Sequence, residues 1–322
     1  MLIATRRLLP IVFATLLLAA TAPGTSAVTS TFPTQSLGDR GADVRAIQGL
    51  LKHHGFPVPI DGIFSQTTVD QVKEFQAAKG MLVSGIVWPS VWTKLILSLG
   101  PGWTGESVKV VQRLLNEKRF ARIDVTGYFG VATIAAVKTF QRHMGVAATG
   151  IVGPTTWRLL VWHYDYPAFT STTLCDYTDE GNGKAGNWGT GSAIGLVEAA
   201  AVGFAKSVRG RVAIGDISLE HGGDIAGHAT HEVGLDVDIR LIRVARNQCS
   251  FGTNWRAPSY DRAATRILIK AIRAAAPGHI KLIYFNDPVL IAEGLTTWFA
   301  NHDDHLHVRY CEVSHADARY RC

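Results

Sequence analysis

The chain has 322 residues, of which 47% are hydrophobic and 18% are charged. This composition excludes a disordered chain, and the length is typical of two or three globular domains. The net charge of +6 is mildly basic. No basic run stands out, so a nucleic-acid partner is not expected, whereas an anionic wall or phospholipid surface would suit such a charge.

The first 27 residues have the pattern of a cleaved secretory signal peptide. Arg6 and Arg7 give a positive start, and the apolar run Leu8–Ala20 is too short for an ordinary membrane span. Small residues at Thr25–Ala27 suit cleavage. The arginine pair also fits a twin-arginine export signal loosely, and an uncleaved anchor is the alternative.

Cleavage would remove two of the 32 basic residues and none of the 26 acidic ones, which lowers the net charge from +6 to +4. No later segment is long and apolar enough to span a bilayer. The sequence therefore predicts a secreted protein that has no stable membrane span after cleavage.

The chain has four cysteines, all in its C-terminal half: Cys175, Cys249, Cys311 and Cys322. An even number in an exported chain predicts two disulfides, and four cysteines permit three pairings. Closely spaced C-x-x-C pairs, which are typical of cysteine zinc clusters, do not occur. We expect Cys311–Cys322 to tie down the tail.

The N-terminal half contains an internal duplication. The matched segments are Leu37–Gly38 with Leu99–Gly100, Val44–Gln48 with Val108–Gln112, Phe64 with Phe129, Phe75–Gln76 with Phe140–Gln141, Gly85 with Gly150, and Trp92 with Trp157. So many matches at a nearly constant offset predict two copies of one structural unit. The first copy is placed at residues 36–98 and the second at residues 99–162.

Each copy is predicted to be a small all-α module of three short helices. In the first copy, apolar residues at helical spacing predict a helix from Val44 to His54. Thr67 or Thr68 is the expected cap of a second helix that ends at Gly80, and a third helix is expected from Ser90 to Leu97. The aromatic residues are expected in the core, because a unit of about 60 residues has little else to bury.

Short motifs recur at corresponding places in the two copies. The first copy has D-V-x-x-I-Q-x-L-L at Asp43–Leu51, D-G-x-F at Asp61–Phe64 and F-Q at Phe75–Gln76, whereas the second replaces the turn aspartate at Thr126–Phe129. Both copies resemble the peptidoglycan-binding module found in tandem on wall hydrolases. The resemblance implies that peptidoglycan is the anchoring ligand, with two weak sites raising the effective concentration at a polymer. Spacer modules without affinity are the alternative.

After Trp162 the composition changes. Residues 163–190 are rich in Thr, Gly, Asp and Tyr, above all in Asp165–Trp188, and are interpreted as a linker or loop. Residues 191–322 mix helix and strand patterns without βαβ alternation, which predicts an α+β domain with a mainly antiparallel sheet. The expected elements are a helix from Gly195, strands at Val212–Ile214, Leu235–Ile242, Lys281–Phe285 and Leu306–Tyr310, and helices at Arg262–Ala276 and Val289–Gly294.

The segment from Gly227 to Asp238 concentrates metal-binding side chains beside glycines. Neutral imidazoles and carboxylates are natural zinc ligands. On an extended strand, Asp236 and Asp238 point to the same face. His231 on the preceding loop can then meet Asp238, with Gly234 allowing a tight turn.

A second histidine cluster lies between Asn301 and His307. On a strand, His305 and His307 share one face, so both could reach the same metal ion. Three protein ligands and one water are the expected form of a catalytic zinc site, because bound zinc lowers the pKa of water toward about 7. Spacing alone leaves a surface or core role open for either cluster.

The two clusters belong to a longer pattern, in which a histidine is followed seven residues later by an aspartate and then by a distal H-x-H. From Gly215 to Arg309 the chain resembles the penicillin-insensitive murein endopeptidases. It also resembles the wider group of lysostaphin-type, D-alanyl-D-alanine peptidase and hedgehog zinc domains. The resemblance implies a bound Zn²⁺ with His231, Asp238 and His307 as its ligands.

The same resemblance suggests roles for the neighbouring residues. Asp304 occupies the position of the base in related D-alanyl peptidases, and His305 occupies a position given that role in other branches. We expect Asp304 to be the base and His305 to orient water or stabilise the oxyanion. His302 matches a histidine that lines the site in the closest relatives. His228 is expected to support a ligand or to contact an additional metal ion, a plain loop histidine being the alternative, and Asp236 to orient a ligand.

These resemblances imply a secreted, cell-wall-associated zinc endopeptidase, located in the periplasm if the cell has an outer membrane. Its substrate would be peptidoglycan, cut at D-alanyl-diaminopimelate cross-links. Since such a site needs no active-site serine, β-lactams would not inhibit it. The alternatives are a carboxypeptidase that trims a terminal D-alanine with the same zinc site, and a non-catalytic wall-binding protein with structural zinc.

Overall fold

The computed structural model describes residues 31–177, 186–223, 225, 228–313, 315 and 317–322. The predicted signal peptide, residues 1–27, lies outside the described residues. Among the residues that are described, no helix is long and apolar enough to cross a membrane.

Each repeat copy forms three helices, as the sequence predicts. They are α1 (Ala42–His53), α2 (Gln66–Ala78) and α3 (Pro89–Leu95) in the first copy, and α4 (Glu106–Arg119), α5 (Val131–His143) and α6 (Pro154–Trp162) in the second. The expected cap of α2 was wrong, because the helix already begins at Gln66 with Ser65 at the cap position. Thr68 lies inside α2, where Nε2 of Gln48 donates to its Oγ1 over 3.2 Å.

A buried glutamine holds the glycine turn in each copy. In the first copy, Oε1 of Gln48 accepts the Gly62 amide at 2.9 Å and its Nε2 donates to Asp61 at 2.8 Å. In the second, Oε1 of Gln112 accepts the Gly127 amide at 2.9 Å, and its Nε2 donates to Thr126 at 3.3 Å. The threonine that replaces the turn aspartate therefore preserves the hydrogen bonding of the turn.

The two modules share one hydrophobic core. Trp92 and Trp157 are fully buried, and the indole N–H of each donates to a backbone carbonyl, that of Pro33 and that of Leu97. The prediction that these aromatic residues are core residues is thus confirmed. The helices α1 and α4 pack so closely that a Cβ on Gly49 would lie 2.4 Å from Val110.

The C-terminal domain is α+β with a mainly antiparallel five-stranded sheet, as predicted. Its strands are β1 (Leu174–Asp176), β2 (Val212–Ile214), β3 (Asp236–Arg240), β4 (Ile280–Tyr284) and β5 (His305–Tyr310), and its helices are α7 (Gly191–Ala205), α8 (Arg262–Ala275) and α9 (Pro288–Ala292). The strand order is β1-β2-β3-β5-β4, and only the β1–β2 pair is parallel. The core of this domain lies between the sheet and the packed pair α7 and α8.

Two local expectations need correction. The strand β1 lies inside the stretch interpreted as a linker or loop. It has only three residues in a polar segment, too few to show an alternating pattern, and it pairs with β2. Helix α7 begins at Gly191 rather than Gly195, because the Thr190 side chain caps it by accepting the Ala193 amide at 3.1 Å.

Two disulfides are present, Cys175–Cys249 and Cys311–Cys322. Both the predicted number and the predicted tail bond are confirmed. Cys175–Cys249 joins β1 to a segment 74 residues away, whereas Cys311–Cys322 closes a short loop at the C-terminal end.

The modules are docked on the C-terminal domain through buried polar contacts. Asp39 of the first module is fully buried, and its Oδ1 accepts from Oγ of Ser192 over 3.2 Å and lies 3.4 Å from Nδ1 of His279. The backbones also meet closely, since a Cβ on Gly41 would lie 2.2 Å from the carbonyl oxygen of Gly191. The position needs glycine for a second reason, because Gly41 has a φ of 105°.

Candidate metal centre

The pairing of β3 with β5 builds one wall of the site. In this antiparallel register Asp238 lies opposite His307 and Asp236 lies opposite Arg309. Alternate residues of a strand share a face, so Asp236, Asp238, His305 and His307 converge on one side of the sheet. Nδ1 of His307 lies 3.0 Å from Oδ1 of Asp238, and Nε2 of the same ring lies 3.0 Å from Oδ1 of Asp236.

His231 reaches this wall from the loop before β3. It is buried, with 1% of its surface exposed, and its Nε2 lies 3.5 Å from Asp238 and 3.3 Å from Nδ1 of His307. The loop turns at Gly234, whose φ is 69° and whose Cβ position would lie 2.7 Å from Tyr164. The sequence expectation that a glycine permits the turn is confirmed. The structure therefore brings together the three residues predicted to be metal ligands.

Hydrogen bonds to the outer nitrogens determine which nitrogen of each ring faces the centre. Nδ1 of His231 lies 2.9 Å from the carbonyl oxygen of Ile217, so this nitrogen carries the proton. In the same way, Asp236 holds the proton on Nε2 of His307. The inner nitrogens are Nε2 of His231 and Nδ1 of His307, and Nδ1 of His307 contacts the Asp238 carboxylate at 3.0 Å. A cation bound here would replace the proton in that contact, and both nitrogens would then present lone pairs to it beside the carboxylate. Three electron-pair donors that face one point fit a cation held between them.

The electrostatics of the site also favour positive charge. Burial alone would raise the pKa of Asp238, but the neighbouring His231 and the hydrogen bonds from His231 and His307 hold this pKa well below its usual value. Burial alone would lower the pKa of His307, but its contacts with Asp236 and Asp238 raise the pKa to about 9. The site is therefore built around an ionised carboxylate.

His228 lies beside the three converging residues. Together, one ligand atom each from His228, His231 and Asp238 lie within 4.8 Å of one another. Nε2 of His228 lies 3.2 Å from Oδ2 of Asp216, and its Nδ1 lies 3.7 Å from Oδ2 of Asp238. The sequence reasoning gave no role to Asp216. The only signal for it was its place at the start of the segment that resembles the murein endopeptidases, one residue after Gly215.

His305 and Asp304 form a pair at the edge of the site. Nδ1 of His305 lies 2.8 Å from Oδ1 of Asp304, and its Nε2 lies 3.8 Å from Oδ1 of Asp238. Burial alone would lower the pKa of His305, but Asp304 and Asp238 raise it. The Asp304 side chain is 67% exposed. Of the two candidate bases, the histidine thus faces the metal ligands and the aspartate contacts the far side of its ring.

Aromatic rings close the same side of the site. The ring of His302 lies 4.8 Å from that of His305 and 5.3 Å from that of His307. Tyr284 on β4 stacks near His307 at 5.8 Å and on Phe299 at 4.6 Å. Sequence reasoning missed Tyr284, because its place opposite His307 depends on the pairing of β4 with β5.

A cleft of about 1170 Å³ lies next to the paired Asp304 and His305. Asp304 is one of its lining residues, together with Asn254, Arg256, Asn286, Trp298 and Asp303. Arg256 bonds to Asp303 at 2.6 Å and stacks over Trp255 at 4.1 Å. The cleft is large enough for several residues of a peptide, and its lining mixes charged and aromatic groups.

Three segments of the chain match models of known protein families. Residues 176–271 match the family model described as penicillin-insensitive murein endopeptidase, and residues 40–95 and 104–160 each match the model for a peptidoglycan binding domain. Two peptidoglycan-binding domains precede a penicillin-insensitive murein endopeptidase domain. The resemblances predicted from the sequence are therefore confirmed. The endopeptidase match includes His228, His231 and Asp238, and it ends before His305 and His307.

Curated relatives match parts of the chain. A protein of Kitasatospora aureofaciens, described as an uncharacterized protein in the bpoA1 3' region, is 44% identical over 71 residues, which is 22% of this chain and 57% of that protein. N-acetylmuramoyl-L-alanine amidase CwlM of Mycobacterium tuberculosis is 31% identical over 147 residues, 38% of this chain and 36% of that protein. The amidase CwlL of Bacillus licheniformis is 29% identical over 154 residues, 37% of this chain and 42% of that protein. The chain thus spans between about a third and three fifths of the length of these relatives.

Two solved structures show partial similarity. A peptidoglycan-binding protein from Clostridioides difficile, solved with glutamine hydroxamate, is 35% identical and covers 19% of this chain and 39% of that one, with a TM-score of 0.19. The Burkholderia AP3 phage endolysin is 28% identical and covers 34% of this chain and 38% of that one, with a TM-score of 0.20. At these TM-scores neither structure supports a conclusion about the overall fold.

Proposed function

We propose that this chain is a zinc-dependent peptidoglycan endopeptidase that hydrolyses D-alanyl-diaminopimelate cross-links. The observation that carries the proposal is the convergence of His231, Asp238 and His307 on one point inside a murein endopeptidase domain. Two imidazoles and one carboxylate are a familiar ligand set for catalytic zinc, which leaves a fourth position for water.

The residues of the chain have distinct tasks in this proposal. Nε2 of His231, Nδ1 of His307 and the Asp238 carboxylate would hold the ion, while Ile217 and Asp236 fix the orientation of the two rings. Bound zinc would supply Lewis-acid polarisation of the scissile carbonyl and a water of lowered pKa.

We assign the general base to His305 and an orienting role to Asp304, which reverses the roles expected from the sequence. Two contacts support this assignment. Nε2 of His305 faces the ligand Asp238, and Nδ1 faces Asp304, whose carboxylate is mostly exposed. A histidine held in this way can take a proton from water at Nε2 and return it to the leaving amine.

Peptidoglycan is also the proposed anchoring ligand of the two N-terminal modules. Both modules match the peptidoglycan-binding family model, and the turn of the second is held by Thr126 as that of the first is by Asp61. Two linked modules would raise the concentration of the active site at the wall. The two disulfides fit a location outside the cytoplasm, secreted or associated with the wall.

The similarity to named N-acetylmuramoyl-L-alanine amidases favours one competing function, cleavage between the glycan and the stem peptide. A D-alanine carboxypeptidase and a non-catalytic wall-binding protein are further alternatives. Each predicts a different product pattern from purified peptidoglycan.

Digestion of cross-linked peptidoglycan followed by mass spectrometry tests the proposal. We expect cross-linked dimers to become monomers, with loss of activity on chelation, recovery with Zn²⁺ and no inhibition by penicillin. Release of whole stem peptides would identify an amidase, and trimming of pentapeptide monomers alone would identify a carboxypeptidase.

The His307→Ala variant is the matched control, since it should still sediment with walls but cleave nothing. Wild-type protein that binds walls and never cleaves them with zinc supplied would exclude an enzyme.

A further inference from the structure

A second group of metal-binding side chains lies between the second module and the endopeptidase domain. His143, His163, Glu220 and His221 each offer one ligand atom, and these atoms lie within 4.8 Å of one another. His143 is the last residue of α5 and His163 directly follows α6, whereas Glu220 and His221 lie between β2 and β3. The four residues therefore join two parts of the chain that are far apart in sequence.

Glu220 is the centre of this group. Its Oε1 lies 2.9 Å from Nε2 of His143 and 3.1 Å from Nε2 of His163. The ring of His221 lies 4.8 Å from that of His163 and stacks on Trp162 at 5.0 Å with an interplanar angle of 9°. These contacts hold the rings in fixed orientations around one carboxylate.

Two nitrogens in the group lack an appropriate hydrogen-bond partner. Nδ1 of His163 lies 2.7 Å from the Tyr164 carbonyl oxygen and so carries the ring proton, which leaves a lone pair on Nε2 facing the Glu220 oxygen. The His163 side chain is fully buried, and burial disfavours a second proton on the ring. Nδ1 of His221 is buried and has no hydrogen-bond partner among the described residues. A cation at the centre of the group would satisfy the lone pair on Nε2 of His163, and His221 would offer one ring nitrogen to the same ion.

We propose that His143, His163, Glu220 and His221 form a structural site for Zn²⁺ or a similar divalent ion, which fastens the second module to the endopeptidase domain. Four protein ligands would leave no open position on a four-coordinate zinc ion, unlike the three-ligand set of the candidate active centre. The proposal does not depend on the hydrolytic function.

One neighbouring charge competes with the ion. Arg119 of α4 also bonds to Oε1 of Glu220. Binding of a metal ion would require the guanidinium to move to the other carboxylate oxygen or to give up the contact. Without a metal ion, Arg119 and the histidines would form an ordinary hydrogen-bond network around Glu220, which is the alternative that the experiment must exclude.

The position of the group links it to the candidate active centre. Glu220 and His221 directly follow the segment in which Ile217 accepts the hydrogen bond from His231. Just beyond them, the Gly223 amide donates to the carbonyl oxygen of Glu232 at 2.8 Å, next to His231. An ion at the second site would therefore order both sides of the loop that presents His231.

Metal counting on the untagged mature chain tests the proposal. After equilibration with Zn²⁺ and removal of excess ion, we expect two zinc ions per wild-type chain by elemental mass spectrometry. We expect one in His143→Ala, His221→Ala and His307→Ala, and none in His143→Ala/His307→Ala. His53→Ala, which removes an exposed histidine of α1, is the matched control and should keep two ions.

A second measurement separates metal loss from misfolding. In the His307→Ala protein, which lacks one of the three proposed ligands of the candidate active centre, Co²⁺ should give the intense visible absorption of a four-coordinate ion, and Zn²⁺ should raise Tm by several degrees. Both effects should disappear in His143→Ala/His307→Ala. If His143→Ala and His221→Ala bind zinc with the stoichiometry and affinity of His53→Ala, the group is a hydrogen-bond network and the proposal is wrong. Because the Co²⁺ and Tm measurements are made in the His307→Ala protein, their failure is distinct from failure of the proposed hydrolysis.

Discussion

Asp236 bonds through Oδ1 to Nε2 of His307 at 3.0 Å, and through Oδ2 to Arg309 at 2.8 Å. It is fully buried, so its charge is balanced by these two partners and not by solvent. The contact turns Nδ1 of His307 toward Asp238 and keeps the ring in the tautomer that can bind a metal ion. Asp236 lies two residues before the proposed ligand Asp238. It thus orients a second proposed ligand, His307, on the neighbouring strand.

Replacing Asp236 should weaken metal binding. Since Asn keeps the shape but removes the charge that holds the Nε2 proton of His307, we expect Asp236→Asn to bind Zn²⁺ about 10- to 100-fold more weakly. Competition with a chromophoric chelator measures this affinity. Asp303→Asn is the control, because Asp303 bonds to Arg256 and Asn286 and should leave zinc affinity unchanged. An Asp236→Asn protein within twofold of wild type would contradict the role of Asp236.

The two candidate bases can be separated by their kinetic cost. We expect His305→Ala to lower kcat on cross-linked muropeptides by about 10²- to 10⁴-fold with zinc content retained, because the proton acceptor is lost. Asp304→Asn should cost much less, about tenfold, because His305 remains beside Asp238. The measurement is steady-state kinetics with metal content determined on the same samples. A larger loss in Asp304→Asn than in His305→Ala would return the base to Asp304.

Stability should depend on pH through Asp39, which is buried at the contact between the first module and the endopeptidase domain. Burial raises its pKa from 3.8 to about 6, although His279 and hydrogen bonds from Ser36 and Ser192 oppose the rise. The neighbouring Glu312 is buried too, and its pKa is also raised. Because the folded chain binds the Asp39 proton more tightly, this group's contribution is fully present below pH 3.8 and is lost as pH rises through about 6.

Asp39→Asn imitates the protonated form and should remove this dependence. Relative to wild type, the variant should gain stability between pH 4 and pH 7, by up to about 3 kcal/mol in the free energy of unfolding. Denaturant unfolding at several pH values measures the difference in free energy of unfolding between the variant and wild type. The prediction concerns how this difference changes with pH, so a constant offset between the two proteins does not matter. Asp70→Asn, at an exposed position on α2, should show no such trend. A difference that is flat or of opposite sign would show that Asp39 is ionised without penalty.

The two disulfides should contribute unequally. By loop-closure entropy, a bond spanning 74 residues stabilises by about 4.5 kcal/mol and one spanning 11 residues by about 3 kcal/mol. We therefore expect Cys175→Ser/Cys249→Ser to unfold at lower denaturant than Cys311→Ser/Cys322→Ser, with both below wild type. Unfolding curves of the two double variants test the order. Equal midpoints would mean that the unfolded chain retains structure that offsets the entropic difference.

The sequence by itself determined the features that depend on short-range pattern. Helical spacing and a repeated set of residues predicted six module helices, because an amphipathic face is encoded within a dozen residues. The spacing of Asp236 and Asp238, and of His305 and His307, predicted which side chains share a face, since alternation along a strand is a local property. The resemblance to murein endopeptidases then proposed which of them bind zinc.

Only the tertiary structure decided the relationships between distant segments. It placed Asp304 on the side of the His305 ring that faces away from the metal ligands. It also showed that β1, in a stretch interpreted as a linker, pairs with β2, and that Glu220 contacts His143, 77 residues away. Such contacts have no short-range signal, because their geometry arises from strand pairing and from the docking of the modules on the sheet domain. The sequence therefore identified the candidate ligands, and the fold assigned them their partners.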